Sequence, residues 1–221
     1  GGLCLIDRQA GVHRTVTPHV PSEQVHYREG DRDLVRTVLR TEAGELSCVE
    51  QLGPGRTRWH VERLFKGPGD YARLRAVAAD ELHLPEYAAY ERLEAERGED
   101  FLLKPEIGYS PLHDIMYRIM GIDTFAVEWS ERRDEVLSLY ETIASSRRRL
   151  YPVIAASPAL MATYCGNLDP GVIGLSRFES YYRPHLDEFA ALLHEHGKLA
   201  GTQFDGGTWL FEEAIGLAQL D

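Results

Sequence analysis

The sequence predicts an α/β fold built on parallel strands, and three observations carry that prediction. From Phe101 onward, strand-like and helix-like patterns alternate: FLLKPEI, a helical stretch, LMATYC, a second helical stretch, a short run opening at Lys198, and a helical pattern from Thr208. Such alternation implies right-handed crossovers onto a parallel sheet, either an open doubly wound sheet or a (β/α)8 barrel. The clearest single unit is RFESYYRPHLDEFAALLHEHGKLAGTQFD (Arg177 to Asp205), where Phe178, Tyr181, Tyr182, Leu186, Phe189, Leu192 and Leu193 recur at helical spacing before a short strand. Each of the three strands also breaks from apolar to polar at its C-terminal tip, with a glycine close behind.

The elements follow in order. From Gly1 to about residue 69 the pattern is strand-like, with a hairpin placed at Ala43-Gly44 between Asp33–Thr41 and Glu45–Gln51, and a further strand in RTRWHVERLF. Residues 1–69 read as a β-rich part and residues 70–221 as helices and successive βα units of the same domain. DYARLRAVAADEL and EYAAYERLEAER read as two helices divided at Pro85, rich in strong helix formers. A helix runs from Leu112 through Met120, and a longer amphipathic one from about Arg132 to Ala155, with Pro152 expected to kink it. Gly197 is a C-terminal stop for the helix that begins at Arg177.

Composition bounds the function. At 221 residues, 43% hydrophobic and 27% charged, the chain has ordinary globular composition. A net charge of -11 disfavours nucleic acid or an anionic membrane as the main partner. Three scattered cysteines supply neither a disulfide framework nor a CxxC zinc site and fit a reducing cytoplasm. There is no membrane-length apolar run and no signal-peptide pattern. The chain opens on Gly1-Gly2 without a methionine and stops directly after a helical pattern, so it reads as a piece of a longer protein.

In parallel α/β architectures the C-terminal strand tips form the ligand face. Here they are Lys104-Pro105-Glu106 with Tyr109 and Ser110, then Tyr164-Cys165-Gly166-Asn167, then Gln203-Phe204-Asp205-Gly206. Asp205 and Glu106 are the candidate catalytic carboxylates, and Gln203, Asn167, Cys165 and Tyr109 the candidate substrate-binding groups. Each has a structural alternative: Glu106 or Asp205 as a helix cap, Cys165 as a small buried apolar residue, Asn167 in an Asx-turn. Gln203 lies two residues before Asp205 and so on its strand face. His185, His194 and His196 are not read as a metal site, because only His194 and His196 are close and an i, i+2 pair diverges on a helix.

SPLHDIMYRIMG (Ser110 to Gly121), ATYCGNLDP (Ala162 to Pro170), the early Thr17-Pro18 and, most specifically, RFESYYRPHLDEFAALLHEHGKLAGTQFDGG (Arg177 to Gly207) resemble the uroporphyrinogen decarboxylase superfamily, which includes cobalamin-dependent methyltransferases. The resemblance implies a (β/α)8 TIM barrel, only part of it present in this chain, and a deep site at the strand C-termini. In the decarboxylase branch it also implies a homodimer. Zinc-dependent methyltransferases of the family carry a His-x-Cys-Gly signature where this chain has Gln203-Phe204-Asp205-Gly206, so both the histidine and the thiolate are replaced and zinc is doubtful. No tightly bound cofactor is expected, and a corrinoid, delivered by a corrinoid protein, enters as co-substrate.

Three functions follow from the resemblance. The first is corrinoid-dependent methyl transfer to a small acceptor, with Asp205 orienting or deprotonating it. The second is decarboxylation of uroporphyrinogen or a related acid, with a carboxylate stabilising the protonated intermediate. The third is a non-catalytic barrel serving as a binding module.

Overall fold

The structure, a computed structural model, describes residues 5–7, 10–54, 57–98, 101–164, 166, 168–216 and 218–221. In chain order its strands are β1 (Leu5–Asp7), β2 (His13–Val16), β3 (Ser22–Glu29), β4 (Arg32–Thr41), β5 (Gly44–Leu52), β6 (Arg58–Glu62), β7 (Leu82–Pro85), β8 (Phe101–Leu103), β9 (Met161–Thr163) and β10 (Leu199–Gly201). The helices are α1 (Asp70–Asp80), α2 (Tyr87–Arg97), α3 (Pro111–His113), α4 (Ile122–Glu131), α5 (Arg133–Ala155), α6 (Pro170–Ile173), α7 (Leu175–Arg177), α8 (Arg183–Glu195) and α9 (Glu212–Gly216). They form two compact units, one of residues 1–15, 83–112 and 147–221, the other of residues 16–82 and 113–146.

The second of these units is organised by an antiparallel sheet in the order β3-β4-β5-β6. β4 and β5 meet in a tight hairpin, Thr41 opposite Gly44, and stay in register back to Leu34 opposite Gln51. β6 joins through a bulge at Val49/Glu50. Alternation places Val35 and Leu46 on one face, and both are buried. Helix α1 packs on β4 and β5 with Tyr71, Leu74 and Ala78 buried. The Tyr71 hydroxyl donates to the buried Glu128 of α4 at 2.9 Å, and Arg132 pairs with the same carboxylate at 2.9 Å. Burial, then the hydrogen bond to Glu128, holds the Tyr71 phenol well above its ordinary pKa.

The other unit carries the parallel strands. β1 pairs with β8, and β9 with β10, both parallel. A parallel bridge between Glu106 and Thr163 continues the pattern from the end of β8 to β9. Ala162, Tyr164 and Ala200 meet a helical layer in which Tyr151, Phe178, Tyr182, Leu186, Phe189 and Leu193 are buried. The rings of Tyr164 and Phe189 lie 5.3 Å apart and those of Tyr151 and Phe189 5.4 Å apart.

The expected (β/α)8 TIM barrel of the uroporphyrinogen decarboxylase type is overturned. The fold is mixed α/β, with an antiparallel sheet in one unit, short parallel pairs in the other, and no closed barrel among the described residues. Periodicity identifies strands and helices one at a time, whereas closure needs strand number, tilt and stagger to agree around the ring. The longest strands of this chain are instead joined by hairpins, which enforce antiparallel pairing.

Smaller expectations shift for local reasons. The helix foreseen from Arg177 is α7, a π-helical segment Phe178–Tyr182, and then α8, which has proline at its start. Pro184 has no N–H to donate and its ring crowds the preceding turn, so the ladder widens there. A second π-helical segment, Asp114–Met120, occupies most of the helix expected over 112–120. The Leu-His-Leu-Pro stretch at 82–85 is a strand between α1 and α2 and not part of a helix, pairing with β2.

Candidate functional site

The polar tips lie in the unit that carries the parallel strands. Past β8 the chain runs on through Pro105, whose carbonyl accepts the Thr163 N–H at 3.1 Å, while the Ile107 N–H donates to the Thr163 carbonyl at 3.0 Å. Glu106 is therefore set laterally against Thr163, which is itself in register with Gly201 of β10. Since Ala162 and Tyr164 turn toward the helices, Thr163 turns to the opposite side, and its register partners Glu106 and Gly201 go with it. Lys104 precedes Glu106 by two residues and stands 3.9 Å from its carboxylate. The first grouping is thus Lys104, Glu106 and Thr163, with Gly201 leaving a notch beside the threonine: an added Cβ would come within 3.1 Å of Thr163 Cγ2.

The second grouping follows β10. Asp205 donates its backbone N–H to the Leu168 carbonyl at 3.1 Å, and Leu168 and Phe204 form a parallel bridge. The Gln203 amide donates to Asp205 Oδ1 at 3.1 Å, which fixes the two side chains together. Gly166 is packed against Gln203 so closely that a side chain there would collide with it. Gly206 has φ +71°, and a Cβ on it would lie 2.9 Å from Asp169 Oδ2. A glycine is required there on both counts, and it brings the Asp205 loop onto the carboxylate of Asp169.

The structure decides between several readings. The short helix after Asp205 is capped at Gly207 with no side-chain hydrogen bond, so Asp205 is not its N-cap. That role is taken upstream by Asp169, whose carboxylate accepts the Gly171 N–H at 2.8 Å at the start of α6. Tyr109 is half-buried in the turn after β8, which Arg147 pins by donating to the Ile107 carbonyl. Cys165 and Asn167 lie outside the described residues. Thr163 and Asp169 were missed by sequence reasoning. A threonine inside a strand reads as packing, and the only signal for Asp169 was its position before Pro170.

The histidines have separate structural roles. His185 is fully buried, 3.4 Å from the Tyr151 hydroxyl, which in turn meets the Tyr164 hydroxyl. Burial, then the positive charges of Arg148 and Arg147, lower the His185 pKa to about 4. His194 pairs with Asp221 at 2.8 Å, and His196 bonds the Leu192 carbonyl. Among the described residues no group of three or more His, Cys, Asp or Glu side chains is placed to hold a metal ion. The Gln203/Asp205 pair is a poor zinc donor set, since it offers one carboxylate beside a neutral amide.

No protein-family model matches the chain, and no curated protein matches it. No helix among the described residues is long and apolar enough to cross a membrane.

Proposed function

We propose that these strand tips form the substrate end of an enzyme that uses or acts on a tetrapyrrole, and that its reaction is transfer of a methyl group from a corrinoid to a small acceptor. The observation that carries the reading is the Gln203–Asp205 pair, held against Gly166 at the end of a parallel strand. A carboxylate oriented by a neighbouring amide is suited to accept a proton from an acceptor such as a thiol. The acceptor's proton passes to Asp205, its lone pair forms the new bond to the methyl carbon, and the methyl group's bond to its donor breaks with the electron pair leaving on the donor. Glu106, Thr163 and Tyr109 would position the acceptor. The sequence resemblance of Ala162–Pro170 and Arg177–Gly207 supports the tetrapyrrole part of the proposal.

Decarboxylation of a porphyrinogen is the second reading, favoured by one observation: Lys104 stands on the same side as Glu106, so a cation is available to meet a substrate carboxylate. Incubating the protein with a methylated corrinoid protein and a thiol acceptor, and separately with uroporphyrinogen, tells the two apart. Loss of the methyl–corrinoid absorbance together with formation of a thioether supports the first. Release of carbon dioxide supports the second, and neither product would leave the tips as a binding module only.

A further inference from the structure

A hollow of about 300 Å³ lies beyond the Asp205 loop, lined by Leu175, Glu179, Trp209, Phe211, Glu212, Glu213 and Ala214. Its wall is an indole: Trp209 is 73% exposed, the most exposed of the large apolar side chains among the described residues. A Cβ on Gly207 would come within 2.8 Å of Trp209 Nε1, so a side chain at that position would have to displace the indole. The neighbouring Phe211 is rigidly held, stacked on Phe178 at 4.9 Å, and Phe178 is in turn edge-on to Phe204 at 5.9 Å. Glu179, Glu212 and Glu213 bring three negative charges to the same hollow, and no ion pair neutralises any of them among the described residues.

An aromatic face beside uncompensated carboxylates attracts one ligand chemistry above others. The ring quadrupole and the carboxylates both favour a positive charge, and the apolar wall favours one with a weak hydration shell. An anion is repelled, and a small hydrated metal ion gains nothing from the indole. We propose that this hollow binds an organic cation of the alkylammonium class, its charged head against Trp209 and its alkyl groups toward Leu175 and Phe211. The inference is independent of the methyl-transfer reading, because it uses neither Asp205 nor a corrinoid.

The test is calorimetric titration of the chain with choline at constant ionic strength, alongside its neutral isostere 3,3-dimethylbutan-1-ol. Saturable choline binding is expected, with the isostere weaker by between about twofold and thirtyfold, the range a cation–π contact spans. Trp209→Leu and Glu179→Gln should each weaken choline without changing the circular dichroism, since both side chains are exposed. Gly207→Ala should weaken it as well, by displacing the indole while leaving every charge in place; φ is -82° there, so alanine is tolerated by the backbone. Equal binding of the isostere, no saturable binding of choline, or undiminished binding in Trp209→Leu and Gly207→Ala would each overturn the proposal.

Discussion

The two units use β-structure for opposite ends. In the antiparallel sheet, strands of 8, 10 and 9 residues (β3, β4 and β5) pair along nearly their whole length through hairpins. The parallel strands β8, β9 and β10 have 3 residues each and depend on helices to cover them. The long strands pair locally, and the polar groups of the exposed β3 and β6 meet as surface ion pairs, Arg40 with Glu23 and Glu45, and Glu50 with Arg58. The short strands spend their few residues on core contacts to one side and polar tips to the other. The first sheet adds hairpin pairing to the core that α1 covers, and the second has little beyond its packing, so losing one ring from the second unit's aromatic cluster should be felt far more than a change on the exposed edge strand of the first.

The largest expected effect follows from that contrast. Phe189→Ala removes a ring touching both Tyr151 and Tyr164, and should cost about 3–5 kcal/mol in urea unfolding. Val25→Thr on the exposed edge strand of the other sheet should stay within about 0.5 kcal/mol. Comparable losses at both positions would dissolve the distinction between pairing and packing.

Next comes pH. His185 has its folded pKa lowered to about 4, against an ordinary value of 6.5. The folded state therefore favours the neutral ring, so its contribution is fully present above pH 6.5 and is lost as pH falls from 6.5 toward 4. The loss should amount to on the order of 3 kcal/mol, read as a falling urea midpoint between those limits. His185→Phe should flatten that slope, and an unchanged slope would mean that the ring does not need to stay neutral.

A smaller effect sharpens the comparison at the tip. Gly206→Ala forces a side chain into a left-handed backbone position against Asp169 and should destabilise by about 1–3 kcal/mol. The same change at the solvent-facing Gly69 or Gly216, where nothing lies within 4 Å, should cost less than about 1 kcal/mol.

How much of this was legible in the sequence depended on the range of the interaction. The hairpin at Ala43-Gly44, the βα alternation after Phe101 and the apolar-to-polar break at Asp205 are local patterns, and they were readable. The parallel relation of β9 to β10 followed from the length of the connecting helix. Closure into a barrel was a global inference from resemblance, and nothing in a local pattern tests it. Thr163 was invisible because its partner Glu106 is 57 positions away in the chain (163 minus 106), and register between non-consecutive strands leaves no periodic trace. The indole hollow was missed for a similar reason: Glu179 and Trp209 are far apart in sequence, and each adjoins one ring of the Phe178–Phe211 stack.

The most direct test of the account is Asp205→Asn, with stability and methyl transfer from a methylated corrinoid to a thiol measured on the same preparation. The account predicts an unfolding free energy within about 0.5 kcal/mol of the parent and a rate lower by at least about a hundredfold. A folded variant that transfers methyl at the parent rate would contradict it.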